Sequence, residues 1–200
     1  MGSKRRGEWE REMCAAGRLP PGQSLTLKSP VIHVGSVPIF RPGSWDFRVF
    51  GLVEMQLRLS WEEFSNLPQT ELSADMHCVN GWSRFDNNWG GLLVTELMKR
   101  VKLRPEARHV MVHGENKYTA NLPIADFLRP TTILALRHDG EPLAAEHGHP
   151  LRLVVPNLYA YKSVKWVRAI QFLDRESPGL WEFNGYHLYG DPFKEQRSSS

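Results

Sequence analysis

Hydrophobic and polar side chains alternate from Trp45 onward: Trp45, Phe47 and Val49 share one two-residue period, and Met55, Leu57 and Leu59 a second. Successive side chains of a strand point to opposite faces, so this spacing predicts two strands, each with one buried face. Ser60 predicts a helix start. Its hydroxyl can cap free backbone amides, Glu63 stands three residues later as a capping box requires, and Asn66-Leu67-Pro68 ends the helix. "ELSADMHCV" (71–79) reads as a further strand, and "NGWSRFDNNWGG" (80–91), rich in Gly and Asn, as a long loop. Leu93, Leu97 and Val101 recur at a spacing that suits one helix face, with Lys99, Arg100 and Lys102 favourable near its C-terminal end. Short strands are expected at 109–113, 131–137, 151–155 and 164–173. Asp139-Gly140 is a hairpin signal, and Pro123 opens a brief helix through Leu128.

Many short strands with few short helices predict an α+β fold with mixed, partly barrel-like β-sheets. The irregular strand–helix alternation argues against a doubly wound sheet. Residues 1–30 are charged and then rich in Pro, Gly and Ser, and are expected to form a flexible N-terminal arm; 31–197 form one domain, and Ser198–Ser200 a short tail.

Composition narrows the function classes. A chain of 200 residues suits one domain. The net charge of +3 is weak, and no basic stripe interleaved with aromatics appears, so nucleic-acid binding is not expected. Cys14 and Cys78 lie far apart and make no disulfide framework, which suits a reducing compartment. Lys4-Arg5-Arg6 is followed by no apolar segment, and no run approaches the ~18 apolar residues of a membrane span. The expected location is cytoplasmic. Seven tryptophans supply core area and candidate walls for a flat ligand.

Cys78 raises the chemical question, and four readings are open. It is a small buried hydrophobe, a nucleophile, part of a zinc site, or one soft ligand to a metal held mainly by something else. No CxxC spacing supports zinc; His77, Cys78, His147 and His149 would meet only through the fold. His77 adjoins Cys78 on a strand and points to the opposite face, so it does not readily serve as its base. Cys14, in the polar arm, is expected to be inert. Further on, "HGHPLRLVVP" and "NLYAYKSVKW" bring His147, Arg152, Lys162 and Lys165 close to a turn and a buried strand. Arg152 interrupts an apolar run, and a buried guanidinium needs an anionic partner. Arg matches phosphate oxygens bidentately and Lys adds a point charge, so an anionic cofactor across these segments accounts for them together.

These residues sit in an ordered set: "LPPGQSLT", "MHCVNGWS", "NNWGG", "HGHPLRLVVP", "YKSVKW" and "PGLWEFNGYHLYGDPFKEQR". From about Pro20 to Arg197 the chain resembles the molybdopterin-binding domain of the sulfite oxidase family, especially short bacterial sulfite oxidase-like oxidoreductases. The resemblance implies a Mo-molybdopterin cofactor, with Cys78 as the single protein thiolate on molybdenum and a pterin dithiolene supplying two more sulfurs. It implies cofactor contacts from His147, Arg152, Ser163, Val164 and Lys165, a further pterin contact from His113, another at His33, and pocket walls from Trp82 and Trp89. It also implies oxygen-atom transfer on a small, sulfur-containing substrate. Electrons would be exchanged with a separate electron-transfer protein (flavin, haem or iron–sulfur), because no haem-binding domain occurs in these 200 residues. Sulfite-oxidising members carry several arginines around the metal. Here only Arg84 follows Cys78 closely, so reduction of an oxidised sulfur compound fits as well as sulfite oxidation. The alternative is a cofactor-binding module or subunit with little catalysis of its own.

Overall fold

The computed structural model describes residues 3–199. In chain order the elements are α1 (Ser3–Ala15), β1 (Ser24–Leu25), β2 (Asp46–Gly51), β3 (Leu57–Ser60), α2 (Trp61–Ser65), β4 (Thr70–Cys78), β5 (Trp82–Leu93) and α3 (Val94–Met98). There follow β6 (His109–Gly114), β7 (Thr119–Pro123), α4 (Ile124–Phe127), β8 (Ile133–His138), β9 (Glu141–Pro142), β10 (Arg152–Val154), β11 (Val167–Leu173) and α5 (Leu180–Phe183).

The strands form two mixed sheets, giving the α+β class expected; each sheet is open, so neither closes as a barrel. One sheet runs β3-β2-β11-β6-β7, with β2 and β11 parallel. The other runs β1-β5-β8-β10, with β4 alongside β5 and β9 alongside β8. Alternation sorts the residues of this second sheet. Leu92, Leu134 and Leu153 turn toward the first sheet and join Phe47, Val49, Val112, Ile170 and Phe172 in the main core. Their neighbours Trp89, Ile133, Ala135 and Val154 turn the other way and make a smaller cluster. Fully burying a side chain such as Phe47 or Leu134 stabilises the fold by roughly 1.5–3 kcal/mol. Arg152 precedes Val154 by two and pairs with Ala135, so it lies on the face turned away from the main core. A cavity lined by Arg152, Trp89 and Cys78 lies on that face.

The capping box at Ser60 forms: its hydroxyl accepts from Glu63 N at 3.2 Å, and Ser60 N donates to Glu63 Oε2 at 2.7 Å. Asp139 and Gly140 both adopt positive φ (53° and 85°) and close the β8–β9 hairpin. Of the segment read as a loop, 80–91, only Asn80 and Gly81 are a turn; from Trp82 on it belongs to β5, the longest strand among the described residues. Ser83, Arg84 and Asn87 lack hydrophobic alternation because they serve a polar cavity and a buried polar network, not an apolar face. Residues within 1–30 carry α1, whose Trp9 ring meets Phe85 at 6.2 Å and whose Glu10 accepts from Leu25 N at 3.0 Å. Arg18 follows, ion-paired with Asp75 at 2.7 Å. Ser199 N donates to Gly185 O. Met1 and Gly2 of the expected arm and Ser200 of the expected tail lie outside the described residues.

Candidate functional site

The β4–β5 hairpin presents Cys78. Its last pair is Cys78 with Trp82, and Gly81 N donates to Cys78 O at 3.0 Å to close the turn. Gly81 takes φ 89°, a left-handed conformation that L side chains adopt rarely. The turn is fastened from outside: Gln23 Nε2 donates to Cys78 O at 3.0 Å, and Arg197 donates to Val79 O. Cys78 is only 7% exposed, yet it lines a cavity of about 320 Å³. Burial pushes its thiol pKa up, opposed by the Asn80 N–H and the charge of Arg197. The thiol is thus not an activated nucleophile, and a metal's positive charge would be needed to hold it as thiolate. His77 is on the other face, with Nδ1 at 2.8 Å from Ser83 Oγ and its ring against Phe193. A Cys–His pair therefore does not form. Among the described residues no three His, Cys, Asp or Glu side chains converge as a metal cage.

The same cavity gathers Arg152, Lys165, His147 and Ser163. Arg152 is buried, with NH1 donating to His147 O at 3.2 Å and the guanidinium over the Trp89 ring at 5.2 Å. Its Nε is buried without a partner, and no carboxylate pairs with it among the described residues. Burial lowers its pKa to about 10. Lys165 Nζ donates to two backbone carbonyls, Ile32 O at 2.9 Å and Glu146 O at 2.8 Å. Burial and then the charge of Arg152 bring it down to about 8. Ser163 Oγ accepts from Val155 N at 3.0 Å, which leaves its own proton to give. Gly148 lets these groups converge. Its φ is 112°, and a Cβ there would meet Arg152 Cβ at 3.0 Å and Lys165 Cα at 3.3 Å.

A buried guanidinium with an orphaned N–H and a half-buried ammonium beside it, neither with a carboxylate partner, are costly unless an anion arrives. A terminal phosphate supplies one, and a thiol on the same cavity supplies a soft metal ligand. The residues present thus fit a phosphate-bearing chelate of a thiophilic metal.

Other expectations resolve differently. His113 is on β6, in the first sheet, 3.0 Å from Gln171 Oε1 and with its ring against Phe50, and it does not line the cavity. Val164 is fully buried in the main core; its carbonyl accepts from Leu153 N at 2.8 Å. Lys162 is drawn away from the cavity by Glu182 (2.5 Å) and by Asn121 Oδ1 at 2.6 Å. His33, Trp82 and Trp89 all line the cavity. Sequence reasoning missed an aromatic wall of Tyr118, Tyr161, Trp181 and Tyr186, and a polar edge of Asn87 and His138. The aromatics come from three separate segments, Trp181 and Tyr186 sharing the last, and no common spacing unites them. Trp181 stacks on Tyr186 (4.9 Å), which meets Tyr161 edge-on (5.2 Å).

Comparison with known proteins agrees with this geometry. The family model described as oxidoreductase molybdopterin binding domain matches residues 34–181. Oxidoreductase YuiH of Bacillus subtilis (strain 168) is 46% identical over 188 residues, covering 94% of this chain and 95% of the relative. The protein-methionine-sulfoxide reductase catalytic subunit MsrP of Gluconobacter oxydans is 32% identical over 169 residues, covering 76% of this chain and 54% of the relative. Mitochondrial sulfite oxidase of Drosophila melanogaster is 33% identical over 107 residues, 49% of this chain and 19% of the relative. The chain thus spans nearly all of YuiH, about half of MsrP and a fifth of the sulfite oxidase. In fold it is similar to the sulfane dehydrogenase SoxCD of Paracoccus pantotrophus, with TM-score 0.63 at 23% identity, over 70% of this chain and 40% of that one. The cavity, its thiol, its unpaired cations and the family match converge: the chain belongs to the sulfite oxidase family of molybdopterin-binding oxidoreductases, with Mo-molybdopterin as its cofactor.

Proposed function

We propose that the chain transfers an oxygen atom to or from a small, uncharged, sulfur-containing substrate, with sulfoxide reduction the favoured direction, and that a separate redox protein (flavin, haem or iron–sulfur) exchanges the electrons. Charge balance in the cavity carries this reading. Arg152 and Lys165 have no carboxylate partner, and a phosphate dianion on the cofactor matches them. Arg84 is the remaining Arg or Lys on the cavity, and its guanidinium is paired with Asp139. Little positive charge remains to draw in an oxyanion. The kinship with a protein-methionine-sulfoxide reductase subunit supports the same direction.

Bound, the cofactor supplies two-electron redox chemistry and oxygen-atom exchange at molybdenum. The protein's residues hold and enclose it. Cys78 offers one thiolate; Arg152, Lys165, His147 and Ser163 grip the anionic end. Tyr118, Tyr161, Trp181 and Tyr186 give the organic groups of a substrate an apolar wall and displace water. In the reductive direction the S–O bond breaks, two electrons and two protons enter, and sulfide and water leave.

The test is elemental analysis for molybdenum followed by turnover. Loaded protein with a reduced viologen dye should consume dimethyl sulfoxide or methionine sulfoxide, and with ferricyanide should oxidise sulfite far more slowly. Faster sulfite oxidation would reverse the proposed substrate class, and silence toward sulfite, sulfoxides and N-oxides would leave a cofactor-binding module.

A further inference from the structure

Arg84 lines the cavity, and Asp139 does not. The carboxylate stands behind the guanidinium: Asp139 Oδ2 accepts from Arg84 NH2, and Asp139 Oδ1 accepts from Asn88 N at 3.1 Å. The other arm of Arg84, NH1, donates to Asn87 Oδ1 and lies 2.6 Å from His138 Nε2. The same His138 Nε2 lies 3.0 Å from Asn87 Oδ1. Its ring is stacked on Trp89 at 4.1 Å, which fixes the plane of the whole group. Asp139 is the one carboxylate paired with Arg84 among the described residues. The Arg84 side chain is 20% exposed, so the pair is partly desolvated and its charges act at an intermediate dielectric.

We propose that Asp139 is a specificity-determining residue, which by pairing with Arg84 from behind cancels the charge that guanidinium would show the cavity and so sets the site for uncharged oxygen-bearing substrates. Removing that carboxylate leaves the Arg84 charge uncancelled on the cavity wall, where it can hold an oxyanion. This inference rests on the uncharged-substrate reading above, and it acts through Arg84: Asp139 is a positioning residue that need touch no substrate.

The backbone makes a clean test available. Asp139 has φ 53° and precedes Gly140 at φ 85°, the conformation in which Asn-Gly is the favoured turn pair. Asp139→Asn therefore keeps the hairpin and the Asn88 contact while removing the charge. Sulfate binding to cofactor-loaded protein is measured by titration calorimetry at fixed ionic strength, for wild type, D139N, R84Q and R84Q/D139N. D139N should bind sulfate on the order of tenfold more tightly than wild type, as expected for one uncancelled charge at short range. R84Q/D139N should return to the wild-type value, and added salt should erase the gain. Equal sulfate affinity in D139N and wild type overturns the inference. So does a gain that survives in R84Q/D139N, since the charge would then act elsewhere. If D139N fails to hold the cofactor, Asp139→Glu provides the second measurement. It should keep wild-type sulfate affinity, and a tenfold gain there would equally overturn the assignment. Because the readout is binding, it stands apart from turnover. Wild type inactive on sulfoxides refutes the proposed reaction and leaves the sulfate comparison readable.

Discussion

Cys78 and Arg152 are both buried, and burial means opposite things for them. A thiol loses little by leaving water, whereas a guanidinium without an anion loses much. Arg152→Met should therefore split two readouts. Melting of the cofactor-free protein should rise or hold, by up to about 1–3 kcal/mol, because an unpaired buried charge is gone. Retained molybdopterin, measured by fluorescence after release, should fall sharply. Cys78→Ser should abolish turnover while circular dichroism stays unchanged; full molybdenum-dependent activity in that variant would remove Cys78 from the metal. His138 gives a pH signature. Burial, aided by Arg84 and Arg152 and opposed by Asp139, lowers its pKa from 6.5 to about 4. The folded state then binds fewer protons than the unfolded chain between those values, so its contribution is complete above pH 6.5 and lost as pH falls toward 4. His138→Gln should flatten the stability profile across that window in chemical denaturation. At this scale the sequence was readable where a residue clashed with its surroundings: a rare thiol, or a cation inside "PLRLVV". His113 and Lys162 show the converse. Their types fit a cofactor contact, but only the folded chain reveals that they face Gln171 and Glu182.

Among elements, the β4–β5 hairpin, the stretch from His147 through β10 to Lys165, and the segment after β11 carry the site. The strands with a purely apolar buried face, such as β2 and β3, were legible from period alone. β5 was not, because its cavity side carries Trp82, Arg84 and Asn87, and polar residues in a strand look like those of a loop. α5 is only four residues long, and isolated it would not persist. What fixes it is Lys162, whose ammonium shares its three N–H donors among Glu182 Oε1, Asn121 Oδ1, Asn121 O and Leu188 O, all within hydrogen-bond distance. This latch holds Trp181 and Tyr186 against the cavity. Lys162→Met should cost about 3–5 kcal/mol, since it strands a buried carboxylate. Denaturant unfolding checks the size, and loss of Trp181–Tyr186 stacking should appear in near-UV circular dichroism. Lys162→Met with Glu182→Leu should recover much of the stability.

Over the whole molecule, the two sheets share one core, and the chemistry lies on the outer face of the second sheet. The class of fold followed from short strands and sparse helices, while the openness of the sheets depends on pairings that no local pattern encodes. No helix among the described residues is long and apolar enough to cross a membrane. Both flanks of the domain return to the hairpin tip. Gln23 binds the Cys78 carbonyl, while Arg197 reaches across to the carbonyls of Val79 and Gly22. Pieces of polypeptide that meet nowhere else in sequence are thus stitched together within one residue of the sulfur proposed to bind the metal. An engineer who trims either flank to tidy an expression clone would be unpicking the seam that keeps the thiolate aimed, and the first symptom would be protein that folds well and emerges pale, short of molybdenum.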